Sequence, residues 1–438
     1  MWFESALLKI LRREYARSMQ FLTTARELEL PEPSDRPMQL YVHVPFCEVL
    51  CPFCSFHRVR HRVDKSQRYF HALREEIRRY HGAGFAFSDV YVGGGTPTVA
   101  PDELARTLEL IRSLWPIRTL SVETNPNDLR EEVLGVLDAA EVTRLSVGVQ
   151  TFDDELLRRM DRYDKYGSAA LISERLQATQ GRYHTLNVDM IFNLPGQTLE
   201  LLERDLDALL ALGVDQVSFY PLMTAPTAQR RMAESMGAAD PSRRLMFYQH
   251  ILGRMLPTYR ASSAWCFSRI DGMFDEYIID QEEYIGVGSG AFSYVGGAMY
   301  STTFSLNKYC ERIARGQTGI TQGKHMSMRE RMRYDFLVKL FGLELTHEYI
   351  ESRYGWRFWL LMAPELTAMR LVGATRHEPR RLRLTQRGMY CWVLMMAEFF
   401  NAVNAFREQM RAHIRAELDE GEETVLPLQR LDFPRRPA

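Results

Sequence analysis

Six short, largely apolar segments rich in β-branched residues, Leu40–Val44, Asp89–Val92, Thr119–Glu123, Arg144–Val149, Leu186–Phe192 and Gln216–Pro221, alternate with helical segments. Asp102–Trp115 places Leu104, Leu108 and Ile111 on one helix face, and Leu202, Leu206 and Leu209 repeat the pattern. Strand and helix alternating in this way require a parallel sheet with right-handed crossovers. The expected fold class is therefore α/β, a partial (β/α)6 TIM-like barrel. In such folds ligands collect where strands end and loops begin, so residues at these strand ends are the first candidates for a site.

Three cysteines stand just after the first strand: Cys47, Cys51 and Cys54, spaced C-x3-C-x2-C. Three thiolates can hold three corners of a 4Fe-4S cluster and leave the fourth iron open to a ligand. His57, three positions after Cys54, keeps a second reading open, a Cys3His zinc site. Zinc sites more often pair two short ligand clusters, whereas this is one compact loop. Cys266, Cys310 and Cys391 are scattered singly, and six cysteines in 438 residues are too sparse for a disulfide framework.

The residues around this loop resemble the radical S-adenosylmethionine (radical SAM) enzymes, in the HemN/HemW-like branch that contains oxygen-independent coproporphyrinogen III oxidase. The resemblance rests on Tyr41–Cys47 (YVHVPFC) and Cys51–Phe56 (CPFCSF), then Gly93–Thr98 (GGGTPT), Glu123–Pro126 (ETNP), Ser146–Phe152 (SVGVQTF), Asp189 in VDMI, and Asn193–Thr198 (NLPGQT). It covers residues 38–300 well and the carboxy-terminal part more weakly. It implies a 4Fe-4S cluster held by Cys47, Cys51 and Cys54, whose free iron binds S-adenosylmethionine so that one electron releases a 5′-deoxyadenosyl radical. Two molecules of S-adenosylmethionine are expected.

The same resemblance distributes roles. Gly94, Gly95 and Thr96 would lie against the methionyl amino group, and Phe53 would pack on adenine or shield the cluster. Glu123, Arg162 and Asp189 would contact the cofactor, with Gln150 between it and a second ligand. Tyr41, sharing a strand face with His43, would orient substrate or the second S-adenosylmethionine, while His43 is expected at the cofactor. Ala291, in the glycine-rich stretch Gly286–Ser293, would lie near that second molecule. Each residue taken alone also has a bland reading: a tight turn for the glycines, an ion pair or helix cap for the acids, a core tyrosine for Tyr41. No Gly-Lys-Ser/Thr follows the glycine triplet, so it is not a phosphate loop.

The expected organisation is an amino-terminal helical extension (1–37), the partial barrel (38–320), a helical, winged-helix-like domain (321–412) and a charged tail (413–438). In the third part Met326–Leu345 and Gly388–Ala412 read as helices and Arg381–Thr385 as a small wing strand. Arg370, Arg376, Arg380, Arg381, Arg383 and Arg387 make this region basic: a nucleic-acid contact, a contact to substrate carboxylates, or most often a solvated face. The chain's net charge of −1 supplies no global field toward nucleic acid, and none is expected as a partner. Charges at Glu4, Lys9, Arg12, Arg13, Glu14 and Arg17 exclude a signal peptide. Leu7, Leu8, Leu11 and Met19 can share one side of a helix, either packed on the barrel or interfacial. The expected location is the cytoplasm, with peripheral contact at the inner face of the membrane as an option.

Three activities follow from the resemblance. Phe56 stands where the oxidase carries a further cysteine. The apolar run Met389–Phe406, with Glu398 its one charge, resembles that of menaquinone C-methyltransferases. The leading expectation is methylation of an sp2 carbon of an aromatic substrate such as menaquinone. Oxidative decarboxylation of coproporphyrinogen is the alternative, and a haem-binding chaperone with His57 as axial ligand represents another class. The partners implied are a quinone or porphyrinogen and an electron donor such as flavodoxin or ferredoxin.

Overall fold

The computed structural model describes residues 21–23, 30–34, 36–223, 226–270 and 283–420. The expected amino-terminal helix and most of the charged tail lie outside the described residues. All six expected strands form: β1 (Met38–Val44), β2 (Phe87–Gly94), β3 (Thr119–Thr124), β4 (Arg144–Gln150), β5 (Thr185–Phe192) and β6 (Gln216–Pro221). They pair in parallel in that order, and helices α1 (Val63–Gly82), α2 (Pro101–Leu114), α3 (Glu131–Ala139), α4 (Ala169–Thr179) and α5 (Leu199–Leu212) fill the crossovers.

The sheet does not stop there. Beyond β6, β7 (Cys266–Ser268) adds antiparallel. On the other side β8 (Tyr284–Val287) pairs in parallel with β1, followed by antiparallel β9 (Phe292–Val295), β10 (Ala298–Thr302) and β11 (Ile320–His325). The expected domain boundary at 320 therefore falls inside the last of these strands. The glycine-rich stretch Gly286–Ser293 holds the turn between β8 and β9, two strands whose alternation is too short to read from composition.

The carboxy-terminal part contains α8 (Met328–Phe341) and a small antiparallel sheet of β12 (Glu344–Thr346), β13 (Thr375–Glu378) and β14 (Arg381–Leu384), with α9 (His347–Tyr354), α10 (Arg357–Leu361) and α11 (Ala363–Leu371) between its strands. Two further helices, α6 (Arg244–Met255) and α7 (Leu306–Ala314), belong to the barrel. The long last helix, α12, spans Gln386–Glu420. It bridges the two sides of the open barrel: Phe400 packs on Trp265 beside β7, and Phe406 packs on Phe292 of β9 and on Phe21. Met389–Ala397 is buried on every side of this helix, as in a core helix. The surface suggested for a quinone is thus interior packing.

Inside the barrel, polar side chains bond across the sheet, between adjacent strands and from β4 over β5 to β6. Arg144 Nε donates to Gln216 Oε1 at 2.9 Å, Asn187 Nδ2 to Ser146 Oγ at 2.8 Å, and Ser218 Oγ to Asn187 Oδ1 at 3.2 Å. This network stands where a closed barrel carries layers of aliphatic side chains, and it leads up to the strand ends that carry the site.

Candidate cofactor site at the strand ends

The cysteine loop leaves β1 and is stitched shut at its base. Val59 N donates to Pro45 O (2.7 Å) and His61 N to Cys47 O (2.8 Å). The buried guanidinium of Arg58 donates to the carbonyls of Cys51 and Cys54, the latter at 2.9 Å. Loop shape is therefore fixed from inside, by a residue the sequence reading did not single out. Burial pushes the Cys47 thiol up to about 12, and Cys54 and Cys51 add to it. The Cys47 thiol ionises readily only against bound cationic metal.

The glycine triplet runs directly beside this loop. Gly95 N donates to Val44 O at 2.8 Å and Thr96 N to Phe46 O at 2.7 Å. A Cβ at Gly95 would lie 2.6 Å from Phe46 O and 3.0 Å from Cys47 Sγ; one at Gly94, whose φ is +117°, would meet the His43 ring at 2.6 Å. Backbone contact this close needs glycine. Gly95→Ala is expected to displace the loop, so that iron bound per chain after anaerobic reconstitution falls several-fold while helix content stays unchanged by circular dichroism.

A continuous set of hydrogen bonds joins two of the cysteines. Thr96 Oγ1 donates to Cys47 Sγ (3.6 Å), Asn125 Nδ2 to Thr96 Oγ1 (2.7 Å), and Arg162 to both Asn125 Oδ1 (3.0 Å) and Cys51 Sγ (3.5 Å). Arg162 is buried, stacks 4.1 Å over Tyr166 and also reaches Gly148 O, and its Nε has no hydrogen-bond partner in the protein. Donors on ligand sulfurs are a recognised means of tuning a cluster. Asn125 was legible in the ETNP motif but carried no assigned role.

Glu123, partly buried at the end of β3, accepts from Tyr91 Oη (2.9 Å) and Gly94 N (3.0 Å). Burial, aided by the charge of Asp189, raises its carboxyl to about 7. Asp189 accepts from Ser146 Oγ and Asn187 Nδ2, each at 2.8 Å. Gln150 ends β4 at φ +77°, where the register to β5 slips between Gly148 and Gln150. Left-handed backbone at a non-glycine residue is uncommon, and the bulge re-aims the Gln150 side chain at the rim.

Tyr41 and His43 share a face, as expected, with Tyr41 Oη 2.9 Å from His43 Nδ1. His43 Nε2 lies 3.0 Å from the His57 carbonyl, which can only accept, so Nε2 carries the hydrogen and Tyr41 donates to Nδ1. Burial, then the charge of Arg407, lowers His43 to about 3, keeping it neutral. Both of its nitrogens are used within the protein, and its ring backs the glycine loop at Gly94. Phe53 is buried in the core, which fits shielding.

Ala291 is also buried, its N–H donating to Thr302 Oγ1 at 2.9 Å. The turn before it is held by α1: Glu76 accepts from Gly288 N (2.8 Å) and Tyr309 Oη (2.6 Å), and Ser289 N donates to Tyr69 Oη (3.0 Å). Tyr69 in turn donates to His43 O at 2.7 Å. A buried glutamate in the middle of an otherwise charged helix gives no sequence signal of this role. His57 is buried too, with Nε2 3.3 Å from Ser289 Oγ and its ring stacked on His43 at 5.7 Å. Neither a solvated loop histidine nor a ligand facing the cysteines describes it.

Among the described residues, no three His, Cys, Asp or Glu side chains stand close enough to close on one metal ion. A mononuclear Cys3His zinc site needs that convergence, whereas a 4Fe-4S cluster spreads three thiolates over three irons. The three-cysteine loop, the donors on its sulfurs and the space kept by glycine fit a cluster, and Glu123 beside the triplet suits a cationic ligand group.

The sequence pattern of the Radical SAM superfamily matches residues 41–209. The chain is 32% identical over 291 residues to the haem chaperone HemW of Bacillus subtilis, covering 63% of this chain and 75% of that protein. It belongs to the HemN-like radical SAM family. The oxygen-independent coproporphyrinogen III oxidase of Salmonella typhimurium is 27% identical over 362 residues, covering 76% of this chain and 78% of that one. The solved structure of HemN from Escherichia coli superposes with a TM-score of 0.71 over 83% of this chain and 90% of that one, at 24% identity. The partial-barrel fold expected from strand alternation is thereby shared with HemN, and family membership implies a 4Fe-4S cluster and S-adenosylmethionine. No helix among the described residues is long and apolar enough to cross a membrane.

Proposed function

We propose that this HemN-like protein holds a 4Fe-4S cluster through Cys47, Cys51 and Cys54, binds S-adenosylmethionine against Gly94–Thr96, Glu123, Arg162 and Asp189, and works on a tetrapyrrole. The observation that carries this reading is the run of hydrogen bonds from Cys47 through Thr96, Asn125 and Arg162 to Cys51. When bound, the cluster supplies the single electron for reductive cleavage of S-adenosylmethionine. The protein's own residues then do the rest: Arg58 fixes the loop, Glu123 offers negative charge to a cationic ligand group, and Tyr41 is oriented by neutral His43. Gln150, set at the rim by its bulge, faces a second ligand.

A tetrapyrrole substrate is supported by the relatives, whose names specify haem or coproporphyrinogen. Quinone methylation, the leading expectation from sequence, loses its structural support because Met389–Phe406 is core packing. Oxidation of a porphyrinogen is the first reading. Haem carriage is the second, favoured by the likeness to HemW.

Cluster-loaded protein given reductant, S-adenosylmethionine and coproporphyrinogen is expected to consume the porphyrinogen with loss of carbon dioxide and to form 5′-deoxyadenosine. Stoichiometric haem binding without porphyrinogen consumption moves the assignment to carriage. Formation of adenosylhomocysteine with a methylated quinone overturns the tetrapyrrole reading.

A further inference from the structure

Arg58 is a buried cation that the hydrogen bonds of the cysteine loop do not explain. Only 6% of its surface is exposed, and taking a guanidinium out of water is unfavourable unless opposite charge faces it. Its Nη2 donates to both Cys51 O and Cys54 O, while its Nε is buried with no hydrogen-bond partner in the protein. Among the described residues no carboxylate pairs with it. A neutral amide side chain can satisfy two carbonyls without burying a charge, so a cation at this position calls for an anion.

The surroundings of the guanidinium indicate which anion. A short parallel ladder pairs Val59 with Phe46 and Arg60 with Cys47, and this fixes the backbone of Arg58 against the first cysteine while its side chain reaches the carbonyls of the other two. The charges that act on it most strongly are those of Cys54, Cys51 and Cys47, and its own charge is felt in turn at Cys47. Three thiolates outweigh the positive charge of an iron–sulfide core, so the loop becomes anionic when a cluster is bound. Net charge around a cluster is one of the quantities that set its reduction potential.

We infer that Arg58, besides shaping the loop, is the counter-charge of the iron–sulfur cluster and raises its reduction potential. The inference rests on the proposed cluster site and is independent of which tetrapyrrole reaction the barrel performs. On reduction the cluster takes one electron from an external low-potential donor and the loaded loop becomes more negative by that charge. Arg58 keeps its proton throughout, and no bond to it forms or breaks. A fixed cation in a buried, water-poor setting stabilises the more negative state. Arg162 plays a different part: it donates to Cys51 Sγ directly and, in the proposed function, touches S-adenosylmethionine, so its removal also alters ligand binding. Both hydrogen bonds of Arg58 stay within the loop, which leaves the cluster as the group it acts on.

A dye-mediated potentiometric titration with dithionite tests it on the full-length protein reconstituted without oxygen. Electron paramagnetic resonance of the reduced cluster is the readout, and it reports loaded chains alone. In Arg58→Gln the ratio of reduced to oxidised cluster at a fixed potential is expected to fall about tenfold or more, which for one electron is a downward shift of about 59 mV or more. Arg58→Lys keeps the charge and is expected to stay within about threefold of wild type. A wild-type potential in Arg58→Gln, or an equal fall in Arg58→Lys, overturns the inference. Should Arg58→Gln take up no iron, full loading of Arg58→Lys supports the counter-charge, and failure of both variants to load overturns it. Wild-type protein that takes up no iron is a separate failure: it removes the cluster site itself, and this inference with it.

Discussion

Cys51→Ala is expected to yield a folded, colourless protein: after anaerobic reconstitution with iron and sulfide the brown absorbance is gone, and iron per chain falls close to zero. In the proposed site three thiolates are the protein ligands, so removing one leaves the cluster with two anchors. The fold has little reason to fail. Cys51 loses one sulfur that accepts from Arg162 at 3.5 Å, while Arg162 keeps Asn125 and Gly148 O, a change of about 1 kcal/mol. Thermal unfolding of the metal-free wild type and variant should therefore nearly coincide. Retention of a full cluster by Cys51→Ala contradicts the ligand assignment.

Glu123→Gln is the second large effect. A carboxylate bonded to a cationic ligand group contributes about 1.5–3 kcal/mol, so S-adenosylmethionine should bind the cluster-loaded variant roughly 10- to 100-fold more weakly. The pH dependence separates this from general damage. Because burial raises Glu123 to about 7, affinity in the wild type should weaken as pH falls through that value, and the variant should be flat. Stability of the ligand-free protein moves the other way. A carboxyl whose folded value lies above its unfolded one contributes stability that is fully present below the unfolded value and is lost as pH rises through the folded value. The ligand-free wild type therefore becomes more stable as pH drops from about 7 toward about 4.5, and Glu123→Gln removes that slope. Equilibrium binding and thermal unfolding across this range check both signs.

The strand ends were legible because two signals coincided there. Alternating strand and helix placed β1 to β6 within one or two residues of their observed limits, and the cysteine, GGGTPT, ETNP, SVGVQTF and NLPGQT motifs fell at or just past the carboxyl ends of strands, with Asp189 inside β5. Reading the strands as largely apolar captured the faces under the helices; Ser121, Ser146, Asn187 and Ser218, which alternate with them, are the polar interior. What escaped notice are contacts between segments far apart in sequence. Glu76 and Tyr69 on α1 hold a turn more than 200 positions later, and nothing in a helix of mixed charge marks which acid is buried. Arg58 lies four residues beyond the last cysteine, yet only the folded loop shows its guanidinium on the carbonyls inside. Met389–Phe406 misled for a related reason: an apolar run fits a core or a surface equally until its neighbours are known, and here Trp392 is fully buried with Nε1 bonded to Leu337 O at 2.9 Å.

The most direct test is metal analysis of protein purified without oxygen, followed by product analysis after addition of strong reductant and S-adenosylmethionine. Close to four irons and four sulfides per chain, with 5′-deoxyadenosine and methionine formed together, is the predicted result. Zinc in place of iron, or a fully loaded cluster that leaves S-adenosylmethionine intact, contradicts the account.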